Sequence, residues 1–321
     1  MTTGRATGRT DEWCPGARRR PHESRLRRGV TLALLTSVLV MALAPAAGAT
    51  AGPTRPLSSA GIARWRPVGN YVENTLTAGE GVATVTGPGK QRRLIYRGLE
   101  SVPKSLAAQG WSHIGDPDAD GAVIIDAYQG PSTGHSKMFL VTTASGATYR
   151  YIHSLVRGEE YNNSFDAIAP GGQWMVAGEW DTMVHLQIYP TPYLNRRTAR
   201  HGGSLRLAGY IRLDHKVNDI QGCDFTTTTT LICVSDDDSR SLFSNEKPLL
   251  EVDLSGPLRG RSVRGHVVDL GSIPQVSACS GTFEAEGDDY DVHSGILRVE
   301  IIQPGSCILK TTIYEYAHRR G

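Results

Sequence analysis

Apolar residues occur along this chain in short runs, and no long segment after Thr50 has the spacing of an amphipathic helix. The runs are rich in β-branched and aromatic residues and lie between clusters of Gly, Pro, Asp and Ser, as strands do. The predicted strands cover residues 93–96, 122–128, 137–143, 148–153, 174–179, 184–189, 230–234, 249–254, 265–270, 295–302 and 308–316. One short helix is predicted at residues 101–109. The pattern therefore predicts an all-β fold.

The strands fall into groups that open with similar phrases. Equivalent polar positions in these phrases are His113, Asp166, Asp219 and Glu284, at intervals of 53, 53 and 65 residues. Units of about 40–50 residues with four strands each are typical of propeller blades. The sequence therefore predicts a β-propeller of about five four-stranded blades. A β-sandwich or an irregular β domain is the alternative.

Residues 165–178 read Phe-Asp-Ala-Ile-Ala-Pro-Gly-Gly-Gln-Trp-Met-Val-Ala-Gly, which has the form of a strand, a tight turn and a second strand. In this they resemble the β-propeller superfamily of the WD40-like and YVTN-like kind, where a Pro-Asp-Gly turn joins two strands of a blade. Gly171 stands at the position of the usual Asp. The resemblance extends loosely over residues 90–316. It implies a propeller, a fold that serves binding proteins and enzymes alike.

The first 49 residues have the organisation of a bacterial-type export signal. Residues 1–28 are rich in arginine, residues 29–44 are apolar and uncharged, and Ala47-Gly48-Ala49 places small residues at a cleavage site. The apolar run has about 15 residues, fewer than the ~20 that span a bilayer, and an uncleaved membrane anchor is the alternative. We expect a secreted, extracellular protein without a membrane span after cleavage. The predicted organisation is a signal peptide at 1–49, an N-terminal segment at 50–90 and a propeller-like domain at 91–321.

The charge balance changes when the signal is set aside. Of the 34 basic and 32 acidic residues, 8 and 3 lie in residues 1–49, which leaves 26 and 29 and a net charge of −3. The basic residues that remain form no cluster of the kind that binds nucleic acid, so no nucleic-acid partner is expected.

Four cysteines follow the signal, an even number that predicts two disulfides in an exported chain. Cys223 and Cys233 flank a predicted hairpin turn, so we expect them to pair. Cys279 and Cys307 lie on the first and last strand regions of the final group and form the second expected pair. A zinc site is the alternative, but it would need closely spaced cysteine pairs, which the sequence lacks.

Alternating carboxylates precede a glycine in the segment Asp116-Pro117-Asp118-Ala119-Asp120-Gly121. This matches the first half of a calcium-binding loop, in which alternation directs oxygens at one point. A calcium-binding loop has a glutamate at its twelfth position, and this chain has Ala127 there. Asp116, Asp118 and Asp120 are therefore candidate calcium ligands, and a polar hairpin turn is the alternative.

Polar residues that recur near the group openings are the candidate ligand-binding residues. They are His113, Asp116, Asp166, Glu179, Asp219 and Glu284. In a propeller the opening strand of each blade lies innermost. We therefore expect these side chains to meet around one end of a central channel.

Two functions fit this arrangement. The first is a non-catalytic binding module with an extracellular ligand at the channel; the sequence does not identify this ligand, and a carbohydrate is one candidate. The second is a carbohydrate-active hydrolase or lyase, because glycoside hydrolysis uses a pair of carboxyl groups. A third interpretation gives the carboxylates a structural role, bonded to backbone amides between blades.

Overall fold

The computed structural model describes residues 62–131 and 133–319. The predicted signal peptide, its cleavage site and residues 50–61 lie outside this part of the chain, so export stays a prediction. Two strands from the predicted N-terminal segment, residues 50–90, lie within the sheets described below. In the described ranges no helix is long and apolar enough to cross a bilayer.

The described chain is built almost entirely from strands. In chain order they are β1 (Trp65–Asn74), β2 (Gly81–Thr86), β3 (Arg92–Arg97), β4 (His113–Ile114), β5 (Asp118–Asp120), β6 (Val123–Gln129), β7 (Ser136–Thr142), β8 (Thr148–Ser154), β9 (Phe165–Ile168), β10 (Trp174–Gly178), β11 (Met183–Pro190), β12 (Gly203–Ser204), β13 (Gly209–Val217), β14 (Ile220–Thr227), β15 (Thr230–Ser235), β16 (Pro248–Leu254), β17 (Val263–Ser272), β18 (Glu284–Asp291), β19 (Ile296–Ile302) and β20 (Lys310–His318). One α-helix, α1 (Lys104–Ala107), lies within the predicted helical segment. The all-β prediction is confirmed.

Five strand groups follow one another along the chain, and each runs mainly antiparallel from its first strand outward. The groups are β2-β3, then β4 and β5 with β6-β7-β8-β12, then β9-β10-β11-β13, then β14-β15-β16-β17, and last β18-β19-β20-β1. The first strands lie against one another in the cyclic order β2, β5, β9, β14, β18 and back to β2. This ring of inner strands around one axis is the arrangement of a β-propeller.

The ring is closed by the beginning of the described chain. Strand β1 pairs antiparallel with β20, from Trp65 opposite His318 to Asn74 opposite Lys310. The outermost strand of the last group therefore comes from the N-terminal side, and β2 then starts the next group.

The number of four-stranded blades stays a prediction. The group β2-β3 has two strands only, and the third and fourth groups share one eight-stranded sheet because β13 and β17 pair in parallel.

The core fills the spaces between neighbouring groups. Phe165 of β9 and Phe225 of β14 share one buried apolar cluster, and Val234 of β15 and Leu297 of β19 share another. Each group thus covers the apolar face of the next, which is how a propeller buries strands that are too few for a core of their own.

Both predicted disulfides are confirmed. Cys223 and Cys233 are direct cross-strand partners in the β14-β15 hairpin, with Cα atoms 4.0 Å apart. Cys279 and Cys307 join the loops on either side of the β18-β19 hairpin, with Cα atoms 5.9 Å apart.

Candidate functional site

The centre of the ring is filled by one carboxylate. Asp116, between β4 and β5, is buried and accepts hydrogen bonds from Val82 N at 3.0 Å and Asp288 N at 3.2 Å. Three glycines on other inner strands, Gly81, Gly222 and Gly287, face it so closely that a Cβ atom at any of them would collide with its oxygens. The inner strands approach this closely because glycine leaves room for Asp116.

Further along the axis, three carboxylates connect one inner strand to the next. Asp118 of β5 accepts from Ile168 N of β9 at 2.5 Å, and Asp224 of β14 accepts from Tyr290 N of β18 at 2.7 Å. Asp289 of β18 accepts from both the amide and the hydroxyl of Thr84 on β2, at 2.7 and 2.8 Å. The links run in one rotational direction, from each strand to the following one. They fix the three carboxylates relative to one another.

Beyond these links the channel opens into a cavity of about 310 Å³. All five inner strands contribute to its wall, at or near their C-terminal ends. Its carboxylates are Asp118, Asp120, Asp224, Asp289 and Asp291. Thr84 and Thr86 supply hydroxyls, and Ile168 and Phe225 supply apolar surface.

The cavity is strongly acidic. Among the described residues no Lys or Arg side chain lines it. Arg298 donates to Asp289 at 2.7 Å from behind the wall, and Arg92 pairs with Asp291. Asp118, Asp120 and Asp224 have no such partner in the lining, so no Lys or Arg side chain there compensates these three carboxyl groups.

Burial and mutual repulsion affect the protonation of these groups. Burial raises the pKa of Asp118 to about 7, with Asp289 and Asp120 acting in the same direction. Burial also raises the pKa of Asp224 well above its usual range, followed by repulsion from Asp118 and Asp289. Asp118 therefore exchanges a proton near neutral pH, within reach of any molecule in the cavity.

Two carboxylates inside the channel have no hydrogen-bond partner for either oxygen. Asp166 is 0% and Asp288 is 2% exposed. Burial raises the pKa of both well above the usual range, and the nearby Asp118 contributes to both shifts. Such groups are stable only when they are protonated or compensated by a cation or donor, because a buried unpaired charge is costly.

The ligand-binding residues predicted from the sequence occupy three places. Glu284 begins β18, Asp219 immediately precedes β14, and His113 lies on β4; none of the three lines the cavity. Asp116 and Asp166 lie inside the channel, where Asp166 N donates to Asp116 O at 3.1 Å.

His113 does not supply a positive charge at neutral pH. Burial lowers its pKa to about 4. The ring instead contacts Trp180 edge to face, with centroids 5.3 Å apart, and its Nε2 lies 3.5 Å from Glu80.

Glu179 lies outside the channel, in a buried polar network between two strand groups. It accepts from Lys137 Nζ at 2.6 Å, and Lys137 also contacts Glu159 at 3.1 Å. His153 holds the other oxygen of Glu159 at 2.9 Å. Two carboxylates and the Lys137 ammonium thus contact one another in this network, and none of the three lines the channel cavity.

The three candidate calcium ligands lie along a strand. Each of Asp116 and Asp118 already accepts backbone amides with both oxygens, and Asp120 is exposed at the rim of the cavity. Residues two apart in a strand lie about 6.6 Å apart, so alternation here distributes the carboxylates along the axis. Across residues 62–131 and 133–319, no three His, Cys, Asp or Glu side chains are placed to hold a metal ion.

Of the cavity carboxylates, Asp224, Asp289 and Asp291 were not predicted from the sequence, and Asp118 and Asp120 were predicted only as calcium ligands. Asp118, Asp224 and Asp289 follow His113, Asp219 and Glu284 by five residues each, and Gly171, five after Asp166, also lines the cavity. The predicted equivalence between groups is therefore present in the cavity wall, five residues further along the chain in each group. A search for acids at equal offsets within the groups would have found them.

No protein-family model matches the sequence, and no curated protein matches it. Solved structures of similar shape include a gluconolactonase from Xanthomonas campestris (10% identity, TM-score 0.36, covering 73% of this chain and 64% of that one). A second is the Swd1 β-propeller domain from Myceliophteria thermophila (8% identity, TM-score 0.30, covering 56% of this chain and 46% of that one). A third is an arabinanase from Bacillus subtilis (12% identity, TM-score 0.41, covering 77% of this chain and 96% of that one). The chain spans less than two thirds of the first two. With identities and TM-scores this low, function has to be argued from the site.

Proposed function

We propose that the protein is a non-catalytic binding module that holds a small ligand in the cavity at the end of its channel. The observation that carries this proposal is the convergence of all five inner strands on one cavity whose carboxylates are fixed by backbone amides. Concave sites with a few fixed polar groups are the usual form of small-molecule sites.

The fixed carboxylates favour binding over catalysis. Asp118 and Asp224 each use both oxygens to accept amide hydrogens, and Asp289 is held by Thr84 and Arg298. Oxygens held in this way still accept further hydrogen bonds, so they suit a ligand rich in donors. A carbohydrate, with many hydroxyl groups, fits this requirement, and an exported protein would meet it outside the cell.

A glycan panel tests the proposal with a blocked cavity as the comparison. The mature chain from Thr50 is titrated against soluble oligosaccharides, together with Thr86→Trp, which fills the mouth of the cavity. Thr148→Trp places the same side chain on an exposed position of β8 and is the matched control. We expect at least one oligosaccharide to bind the wild type and Thr148→Trp equally well. The same oligosaccharide should bind Thr86→Trp about tenfold or more weakly. Equal affinity for all three proteins would overturn the proposal.

One observation favours the alternative of a carbohydrate-active enzyme. Asp118 lines the cavity with a pKa of about 7, a value suited to a general acid. The same panel is therefore assayed for cleavage. Cleavage that Asp118→Asn abolishes while binding persists would replace the binding module with a hydrolase or lyase.

A further inference from the structure

Arginines collect on the exposed face of the molecule where β13 and β17 meet. Residues 190–213 contain five arginines and residues 254–268 contain three, and neither segment contains an Asp or Glu. The parallel pairing of β13 with β17 brings the two segments together. Because Arg212 and Arg264 are 52 positions apart, the sequence shows no single basic run. Six exposed arginines, which we call the arginine seam, are Arg197, Arg206, Arg212, Arg259, Arg261 and Arg264.

Two arginines of the seam lie directly beside each other. Arg212 and Arg264 are register partners in neighbouring strands, which lie about 4.8 Å apart, and like charges at such a distance repel. Neither takes part in an ion pair with a described carboxylate. Asp214, the next acid along β13, pairs instead with His266 at 2.5 Å. The two guanidinium groups are therefore available to an anion from outside.

The surface beside these arginines is concave in two places. Arg197 and Arg206 line a cavity of about 500 Å³, together with apolar side chains from β11 and from the loop before β13. Arg212 and Arg264 line a second depression. Ala208 of the first and Arg212 of the second are four residues apart, or about 13 Å along a strand. Among the described residues no Asp or Glu lines either place, so an extended anion that reaches both meets positive charge throughout.

The aromatic groups near the seam favour a sugar chain over a nucleic acid. Single-stranded nucleic acids stack their bases on free aromatic faces. Here the Arg197 guanidinium lies over the ring of Trp174, 5.2 Å from its centroid, and Tyr149 stacks on Tyr193 at 5.9 Å. These faces are therefore already occupied.

We propose that the arginine seam binds an acidic polysaccharide. Its carboxylates pair with the guanidinium groups, since a guanidinium matches a carboxylate with two parallel hydrogen bonds. Its sugar rings pack on the apolar floor of the cavity beside Arg197 and Arg206. This is a second binding site, on a different part of the molecule from the channel cavity, and it does not depend on the function proposed for that cavity.

A matched pair of probes tests the role of charge. Hexagalacturonate and its methyl ester have the same sugar chain and differ in whether the carboxyl groups are ionised. We expect the mature protein to bind hexagalacturonate about tenfold or more tightly than the ester at pH 7 and low salt. The affinity for hexagalacturonate should fall as salt is raised, because salt screens the attraction.

Variants place the binding on the seam. Arg212→Gln combined with Arg264→Gln should weaken hexagalacturonate binding about tenfold or more. Arg66→Gln combined with Lys310→Gln removes two positive charges from exposed positions on β1 and β20 and should leave the affinity unchanged. Thr86→Trp, which fills the channel cavity, should also leave it unchanged. Melting curves show that each variant is folded.

Three results would overturn the inference. The first is equal affinity for hexagalacturonate and its ester, or no binding of either. The second is binding that Thr86→Trp blocks and the double arginine variant retains, which would place the acidic chain in the channel cavity and support the proposed function instead. The third is a thymidylate hexamer that binds the wild type more tightly than hexagalacturonate and loses affinity in the double arginine variant, which would make the seam a nucleic-acid site.

Discussion

At the residue scale, the most costly groups in the molecule are the carboxyls that have no partner. Asp288 lies within the ring of inner strands, 2% exposed, with Asp289 and Asp118 close enough to repel its charge. Folding raises the pKa of Asp288. Its full contribution to the free energy of unfolding is therefore present below the pKa of an unfolded Asp, where the group is protonated in both states. This contribution is lost as the pH rises through the pKa of the folded state.

Asp288→Asn should therefore stabilise the protein at pH 8 and have little effect at pH 4, since an amide resembles the protonated acid. We expect a gain of about 1–3 kcal/mol in the free energy of unfolding at pH 8, measured by urea denaturation. The exposed Asp120→Asn is the control and should change it by less than about 0.5 kcal/mol. A loss of stability at pH 8 would show that Asp288 is compensated as a charge in the folded protein.

Residue patterns predicted two of the cavity carboxylates, Asp118 and Asp120, as calcium ligands and did not predict the others. The alternation of Asp116, Asp118 and Asp120 shows in the sequence because all three stand within one segment. The positions of Asp224 and Asp289 depend instead on the amides of Tyr290 and Thr84, 66 and 205 positions distant along the chain. Contacts across such separations leave no local pattern.

At the element scale, the buried network between β7, β10 and the loop after β8 holds two strand groups together. Lys137 is 0% exposed and touches both Glu159 and Glu179. Although burial opposes it, hydrogen bonding from His153 and the charge of Lys137 lower the pKa of Glu159 to about 2. The network is therefore charged at neutral pH and depends on its cation.

Lys137→Met should lower the free energy of unfolding by about 3–5 kcal/mol, because it leaves buried carboxylates without a counter-charge. Glu179→Gln keeps the acceptor oxygen and should cost less, with no effect on ligand affinity. Denaturation and glycan titration of both variants check this. Loss of ligand binding in Glu179→Gln at unchanged stability would restore the ligand-binding role that the sequence predicted for Glu179.

The two disulfides should differ in their contribution because they close loops of 10 and 28 residues. In the chain-entropy description, loss of Cys223–Cys233 costs about 2.7 kcal/mol and loss of Cys279–Cys307 about 3.6 kcal/mol. Urea denaturation of the two double Cys→Ala variants measures both. A larger cost for the shorter loop would show that packing of the buried Cys223 pair outweighs loop entropy.

The sequence pattern predicted many of the strands as short apolar or alternating runs, but it did not predict β2. Gly81–Thr86 is short and apolar, and it became an inner strand through contacts with β5 and β18 that depend on the closed ring. Similarly, nothing local in Trp65–Asn74 shows that it pairs with the last strand, β20.

At the scale of the whole molecule, the described acidic side chains with raised pKa values outnumber those with lowered pKa values. Burial raises the pKa of Glu80 to about 8, together with repulsion from Glu284, and raises the pKa of Asp236 to about 7. Asp118 belongs to the same range, at about 7. All are protonated more readily in the folded than in the unfolded chain.

The melting temperature should therefore fall as the pH rises from about 4.5 to 8, since the unfolded chain releases these protons first. Below this window the lowered pKa values of Glu159 and Asp291 act in the opposite direction. Calorimetry across the pH range measures the slope. A melting temperature that is higher at pH 8 than at pH 5 would mean that cations or donors compensate the channel carboxylates.

The propeller itself was predictable because its groups repeat along the chain, whereas its closure and its cavity were not. Period and strand composition follow from local sequence. Closure by β1 and the meeting of carboxylates from three inner strands arise only when all groups pack around one axis.

The central claim is that ligand binds where the inner strands end. The amides of Ile168, Tyr290 and Thr84 donate to the cavity carboxylates, so their NMR signals report directly on Asp118, Asp224 and Asp289. The mature protein is titrated with any glycan that the panel identifies. The account predicts that these three signals shift together while that of Ala285, which donates to Asp236 at the other end of the channel, stays in place. A shift at Ala285 with the three signals unmoved would contradict it.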